Sequence, residues 1–384
     1  TGASYQAWEE MKDDPTYGTL WVVGYDGYGI LGNNTNNENQ SSPVQIGSEG
    51  TWSDIGGVKT DGTLWSWGYN ANGEQGLNNR TQYSSPIQVG TDTTWKARYN
   101  RMFTGGGGAV NLGTKSDGTL WAWGRNHYGQ LGQNSVIDRS SPTQIPGTTW
   151  PLTRGERKIG GSMQYYTTVI KTDGTMWSWG WNSEGVLGIN TPDNTHHSSP
   201  TQIPGTTWKY IASGGYQSIA ATKTDGTLWT WGTGSQGQLG QGNTTSRSSP
   251  TQVGTDTTWK YLSSSQKGHL ATKTDGTLWS WGYNTYGELG QNNRSEYTSP
   301  RQVGGTGWKE PFTIGEHKNG ASKTDGTFWA WGRNYFGGLG QNTGGHPTTG
   351  SFSSPVQIPG TEWKMMGGIA SQGGPGPVSF IKGT

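Results

Sequence analysis

Lys273-Thr274-Asp275-Gly276-Thr277-Leu278-Trp279-Ser280-Trp281-Gly282 decides the fold, because it joins a tight-turn signal to a strand signal and then recurs along the chain. Asp-Gly between strand-like runs is a strong hairpin signal, since a type I′ turn needs positive φ at both central residues. Leu-Trp-Ser-Trp-Gly alternates large and small residues with the period of a strand. The Gly-Thr-apolar-Trp core of this stretch begins at Gly18, Gly62, Gly118, Gly174, Gly226, Gly276 and Gly326. A period near 50 residues marks a repeat architecture.

Working outward from that core, each copy continues into a Gly-rich segment such as Gly287-Glu288-Leu289-Gly290. A Ser-Pro step follows, at Pro43, Pro86, Pro142, Pro200, Pro250, Pro300 and Pro355, and a lone Trp closes the unit, at Trp52, Trp95, Trp150, Trp208, Trp259, Trp308 and Trp363. Four strands per unit are predicted. Strand A follows the lone Trp, B precedes Asp-Gly, C is the Leu-Trp-x-Trp-Gly run, and D follows Ser-Pro, where a missing N–H is tolerated at a sheet edge. Short four-stranded antiparallel units repeated seven times give an all-β, seven-bladed propeller. The first unit starts at strand C, and Trp363 to Lys382 supplies strands A and B. The two ends are therefore expected to share one blade, with Ala370–Lys382 pairing to Thr19–Gly24. Residues 1–15 read as an extension and residues 16–384 as the propeller.

Hydrophobic residues make up only 28% of the 384. That would suggest disorder if the 22 Trp and 17 Tyr did not supply large buried areas per residue. A net charge of +1 gives no basic footprint for nucleic acid. No Cys is present, and no apolar run is long enough to span a membrane as a helix. The expectation is no nucleic-acid partner, no membrane insertion and no cofactor.

The pattern Asp-Gly-x-x-Trp-x-Trp-Gly-x-Asn-x-x-Gly-x-Leu-Gly resembles the repeat of the regulator of chromosome condensation family, and does so over nearly the whole chain. The flavour of the copies, Lys-Thr-Asp-Gly-Thr-Leu-Trp with Ser-Ser-Pro-x-Gln-Ile-Pro-Gly-Thr-Thr-Trp, resembles marine bacterial and bacteriophage repeat proteins. The family resemblance implies a propeller. It spans guanine-nucleotide exchange, ultraviolet reception and protein inhibition, so fold alone does not give function. Exchange in the family uses an inserted wedge, which does not map onto this chain, and the N-terminal segment here carries Glu9, Glu10, Asp13 and Asp14 rather than a basic tail. Ultraviolet reception would call for Trp residues beyond the packing positions. Only Trp8 and Trp181 lie off the repeat, so packing between blades accounts for the rest. The repeated Asp lacks the further carboxylates of a calcium loop, and no nucleophile, paired carboxylate or metal-ligand spacing stands out. His196-His197 reads as a solvated pair in a polar loop.

Antiparallel order places the uniform B–C and D–A turns on one face of the disc and the variable A–B and C–D loops on the other. Variable loops rich in aromatic and Arg residues resemble a recognition surface. The binding residues expected there are Arg101, Met102, Phe103, His127, Tyr128, Arg157, Tyr165, Tyr166, Trp181, Tyr216, Gln217, Tyr286, His317, Tyr335 and Phe336. The spacing from the lone Trp to the next Asp-Gly is short in the second unit (Trp52 to Gly62) and long in the next two, which centres the expected contact on the sector of residues 98–110 and 152–166. The sequence thus reads as a non-catalytic binding or structural scaffold. Its expected partner is a protein or a cell-surface receptor or glycan, on a virion or cell surface and within a larger assembly. An intracellular regulator of the exchange-factor or inhibitor type is the alternative. A ring closed by its two ends makes a prediction: deleting residues 363–384 removes half a blade and exposes a sheet edge. The truncated protein should aggregate or lose its cooperative melt, and a monomer that melts normally would contradict a closed ring.

Overall fold

A short chain of hydrogen bonds holds each turn of the repeat. In Asp225-Gly226-Thr227-Leu228-Trp229, Asp225 Oδ1 accepts the Thr227 backbone N–H at 3.0 Å and its hydroxyl at 2.7 Å, and Thr227 Oγ1 accepts the Trp229 indole N–H at 2.8 Å. The same set recurs at Asp61, Asp117, Asp173, Asp275 and Asp325. The hydrogen bonds from Thr227 hold the Asp225 carboxyl below the usual range. The aspartate is occupied by its own turn. Gly226 sits at φ +78°, and a Cβ there would lie 1.9 Å from Thr257 O, so this position requires glycine.

The computed structural model describes most of residues 20–382. Residues 1–19, 100–109, 152–157, 161–164, 335–338, 340–349 and 369–377, a few shorter loop stretches and residues 383–384 lie outside the described set. The first blade contributes β1 (Leu20–Gly24) and β2 (Gln40–Ile46), and the second β3 (Trp65–Gly68) and β4 (Tyr83–Gln88). Five four-stranded antiparallel blades follow. They are β5 to β8 (Trp95–Tyr99, Val110–Lys115, Leu120–Gly124, Arg139–Ile145), β9 to β12 (Ile159–Gly160, Tyr166–Ile170, Met176–Trp181, His196–Ile203), and β13 to β16 (Trp208–Ser213, Ser218–Lys223, Leu228–Gly232, Arg247–Gln252). The last two are β17 to β20 (Trp259–Ser264, Gly268–Lys273, Leu278–Gly282, Tyr297–Val303) and β21 to β24 (Trp308–Gly315, Lys318–Lys323, Phe328–Gly332, Phe352–Gln357). The chain ends in β25 (Trp363–Gly368) paired with β26 (Val378–Lys382).

Each blade runs A-B-C-D across the sheet, and the A strands of neighbouring blades touch. Ser263 of β17 meets Thr313 of β21 at 2.9 Å between hydroxyls, and β25 lies against β21 in its turn. The fold is the seven-bladed propeller expected, and in sequence β25–β26 carry the A and B strands and β1–β2 the C and D strands of the remaining repeat. Among the described residues these two pairs form separate two-stranded sheets, and the expected ladder between β26 and β1 is not part of them. In the second blade strands A and B shrink to two isolated bridges, Trp52 to Lys59 and Val58 to Leu64, which is what ten residues between Trp52 and Gly62 allow.

Five seams between blades are locked by the second Trp of the C strand. Trp231 is fully buried and donates its indole N–H to Val186 O of the preceding blade at 3.0 Å. Trp123 to Glu74 O (3.0 Å), Trp179 to Gln130 O (2.8 Å), Trp281 to Gln238 O (2.9 Å) and Trp331 to Glu288 O (2.7 Å) repeat the bond. The lone Trp of the same blade packs edge-on against both C-strand rings, as Trp308 does with Trp329 at 6.0 Å and Trp331 at 6.3 Å. The repeat lysine lies over the same pair. Lys223 Nζ stands 4.8 Å from the Trp208 ring and 4.1 Å from that of Trp229, a cation–π arrangement shared by Lys59, Lys115, Lys171, Lys273 and Lys323.

One blade places a titratable group in this core. His269 is fully buried against Trp281, with Ser264 Oγ 2.5 Å from Nδ1 and Ser218 Oγ 3.2 Å from Nε2. Burial lowers its pKa to about 3. The corresponding residues of other blades are Asn111, Thr167, Ile219 and Asn319.

Two predictions follow from this packing. Val186 O receives only the Trp231 indole among the described residues, whereas Glu74 O also accepts Asn111 Nδ2 at 2.6 Å. Trp231→Phe should therefore cost about 1–3 kcal/mol more in urea unfolding than Trp123→Phe, the range for a buried acceptor left unpaired; equal losses would contradict the assignment. Between pH 6.5 and about 3 the unfolded chain binds a proton at His269 that the folded chain does not, so stability falls as pH falls. Wild type should lose about 1.4 kcal/mol per pH unit more than His269→Asn across that window. Parallel stability profiles for the two would show that His269 is charged in the folded state.

Candidate functional site

The A–B and C–D connections lie at one end of the blades, and three loop positions recur there. The first is the residue after the C-strand glycine: Tyr69, Arg125, Trp181, Thr233, Tyr283, Arg333. The second precedes the next loop glycine: Tyr28, Asn72, Tyr128, Glu184, Gln236, Tyr286. The third precedes strand B: Tyr165, Gln217, Lys267, His317. The first is pinned beside the third by a backbone bond. Trp181 N donates to Tyr165 O (2.8 Å), Thr233 N to Gln217 O (2.8 Å), Tyr283 N to Lys267 O (3.0 Å) and Arg333 N to His317 O (2.8 Å). The second reaches across to the next blade, as Tyr28 does to Tyr69 (ring centroids 5.1 Å apart), Tyr128 to Trp181 (5.5 Å) and Tyr286 to Arg333 (4.8 Å).

The residue that follows each of these loop glycines shapes the second position. Where it is Glu or Gln, its side chain accepts the backbone N–H two residues earlier. Glu74 accepts from Asn72, Gln130 from Tyr128, Gln238 from Gln236 and Glu288 from Tyr286, each at 2.8 Å. Where it is Val186, no such acceptor exists, and Glu184 takes φ +54°, a conformation that non-glycine residues seldom adopt. Burial raises the pKa of the Glu74 carboxyl, against the pull of its Asn72 hydrogen bonds.

On this common frame the side chains differ from seam to seam. Between blades three and four the trio is Tyr128, Trp181 and Tyr165. Tyr128 stacks on Trp181 (interplanar angle 21°), Tyr165 meets both edge-on at 5.5 and 5.6 Å, and His196 stands edge-on to Tyr128 at 5.1 Å. Between blades six and seven it is Tyr286, Arg333 and His317. His317 lies 4.8 Å from the Tyr286 ring and its Nδ1 is 2.9 Å from Oε1 of Glu288, which is buried. The seam between blades four and five carries Glu184, Thr233 and Gln217, with no aromatic ring.

The structure thus brings together Tyr128, Tyr165 and Trp181 in one cluster and Tyr286 with His317 in another, and places Gln217 at the third position. His127 is exposed beside the first cluster, 3.6 Å from Asp138. Tyr166 is a correction. It opens β10 opposite Gly180 with its side chain fully buried in the core, because strand alternation turns it away from its neighbour Tyr165. Arg101, Met102, Phe103, Arg157, Tyr216, Tyr335 and Phe336 lie outside the described residues, as does most of the sector 98–110 and 152–166. His196, read as solvated, is exposed. It opens β12 opposite Trp181 and completes the aromatic cluster, a cross-strand register that becomes legible only once strand D is known to start that early. Sequence reasoning also missed Tyr69, Tyr283 and Lys267, which the three-position rule identifies. Among the described residues no group of three His, Asp or Glu side chains is placed to hold a metal, and no helix is long and apolar enough to cross a membrane.

Comparison with known proteins agrees with this geometry. Residues 117–150, 173–221, 225–266 and 275–313 match the regulator of chromosome condensation (RCC1) repeat. The X-linked retinitis pigmentosa GTPase regulator homolog of Caenorhabditis elegans is 32% identical over 115 residues, 29% of this chain and 8% of that protein. The mitochondrial RCC1 domain-containing protein RUG3 of Arabidopsis thaliana is 30% identical over 126 residues, 32% of this chain and 27% of that protein. The matches therefore span less than a third of these relatives' own length. Among solved structures, human WBSCR16 has a TM-score of 0.71 at 17% identity, covering 95% of this chain and 99% of that one. Yeast RCC1 (Prp20), solved with Kap60, has a TM-score of 0.70 at 18% identity, covering 100% and 94%. At such identities the likeness speaks for the fold alone. Repeat, motif and fold agree: four stretches between residues 117 and 313 carry the regulator of chromosome condensation (RCC1) repeat, in a chain whose fold is that of the RCC1 propellers.

Proposed function

We propose that this propeller is a non-catalytic, protein-binding regulatory module that engages its partner through the face bearing the A–B and C–D loops. The observation that carries the reading is the contrast between frame and side chains. The backbone bond between the first and third loop positions repeats in four blades, while the residues at all three positions run from all-aromatic to cationic to polar. Uniform turns on the other face are occupied by their own Asp–Thr–Trp hydrogen bonds and offer little variation for recognition. Relatives that include a GTPase regulator homologue and a protein whose solved complex is with another protein favour the regulator reading over a virion or cell-surface scaffold, which none of the relatives described above supports. On this reading the protein acts inside the cell.

Proteins co-purifying with the tagged propeller provide the test, with two variants compared by mass spectrometry. Trp181→Ala with Arg333→Ala alters the loop face, and Thr224→Ala with Thr274→Ala alters the turn face. The specific partner should be lost at least about tenfold from the first variant and kept by the second, as expected if a few anchor residues dominate binding. Retention by the loop-face variant with loss from the turn-face variant would overturn the proposal.

A further inference from the structure

The seam between blades three and four breaks the repeat twice in one place. The first break is the cluster of Tyr128, Trp181, Tyr165 and His196. The second is Val136-Ile137 in the neighbouring C–D loop, 51% and 65% exposed. At the corresponding positions the second blade has Arg80-Thr81, the fifth Thr244-Thr245 and the sixth Arg294-Ser295. An exposed aliphatic pair is a departure from the polar residues found there, and it is built into the site rather than loose. Asn126 Nδ2 donates to Ser135 O at 2.8 Å and Ile137 O at 3.0 Å, and Asn126 N donates to Asp138 Oδ1 at 2.8 Å. These bonds fasten the Val136-Ile137 segment to the residues immediately before Tyr128.

Among the described residues, charge around the patch is predominantly positive. Arg80 has a side chain 62% exposed, Arg125 lies over Tyr128 at 5.9 Å, and Arg139 opens strand D opposite Gly124. The nearby carboxylate, Asp138, is already engaged. It is 11% exposed, lies 3.7 Å from Arg80 and 3.6 Å from His127, and accepts the Asn126 N–H. Glu74 is buried, and Glu184 stands at the far edge, in the next seam. The cluster is poorly suited to a sugar, because the ring faces are in use. Tyr128 is stacked on Trp181 and carries a guanidinium near its ring, and Tyr165 meets both rings edge-on.

From this juxtaposition we infer that the blade three–four seam docks an acidic segment of a partner protein bearing aliphatic or aromatic anchors. The anchors lie on Val136, Ile137 and the Tyr128–Trp181 cluster, and the carboxylates face Arg80, Arg125 and Arg139. This deepens the loop-face reading proposed above and rests on it. A desolvated apolar centre ringed by complementary charge is the arrangement that concentrates binding energy in few residues.

Selection of a displayed library of random 16-residue peptides against the full chain tests the inference. Enriched peptides should carry Asp and Glu around Leu, Ile, Phe, Trp or Met. Their affinity should fall about tenfold or more on Val136→Ser with Ile137→Ser, two exposed positions whose replacement leaves the fold intact. It should also fall on Arg80→Glu, while Arg333→Ala changes it little. Neutral or basic peptides, no enrichment, or acidic peptides indifferent to the Val136 and Ile137 changes would overturn it. Peptides that instead lose binding on Arg333→Ala would sink this seam and leave the loop face standing. Peptides indifferent to every loop-face change but weakened by Thr224→Ala with Thr274→Ala would sink both.

Discussion

One hydrogen bond recurs at the described seams and constrains what surrounds it: the indole N–H of a C-strand tryptophan donated to a carbonyl of the preceding blade. The ring that makes the bond must be buried, so the lone Trp packs against it, and a lysine covers the lone Trp and the other C-strand ring. The carbonyl must be approached closely, so glycine sits two residues beyond it. At Gly188 a Cβ would lie 2.6 Å from Trp231 Nε1, and φ is +70°. The next glycine-bearing turn then meets the following blade's Ser-Pro strand, where Asn78 N donates to Ser140 O at 2.7 Å and Asn190 N to Ser248 O at 2.9 Å. Trp, Lys, Gly and Ser are thus fixed together by one contact between blades.

Because that contact fixes the C–D loop backbone, it leaves a few positions chemically open. The residue after the C-strand glycine and the one before strand B are joined by main-chain atoms alone, so any side chain can stand there. The propeller separates two tasks: stability resides in the Trp–carbonyl seams, and specificity in the side chains above them. The seams occupied by Glu184, Thr233 and Gln217 on one side and by Tyr128, Trp181 and Tyr165 on the other share the main-chain bond between their first and third positions and differ in the chemistry they present.

Much of the fold was legible in the sequence because its determinants are local and repeated. Asp-Gly-Thr signals a turn within three residues, and Leu-Trp-x-Trp-Gly signals a strand within five. The short spacing from Trp52 to Gly62 also foretold the reduced A–B hairpin of the second blade. The site was legible only in part. Tyr128, Tyr165 and Trp181 stood out as aromatic residues in variable loops, but their meeting depends on one blade's loop reaching over the next, a contact between residues more than thirty apart that no local pattern encodes. Tyr166 was assigned to the surface from its neighbour's character, and strand alternation buried it. His196 is exposed as expected, but its place beside Tyr128 escaped notice because its strand begins earlier than Ser-Pro signals. Val136 and Ile137 escaped notice because their exposure, not their identity, makes them unusual.

Hydrogen exchange of the propeller with and without its protein partner tests the division between frame and recognition most directly. The account predicts protection in residues 125–138, 165–170 and 181–197, with the Asp-Gly turns at 115–119, 171–175 and 223–227 unchanged. Protection confined to those turns, with residues 125–138, 165–170 and 181–197 exchanging as in the free protein, would contradict it.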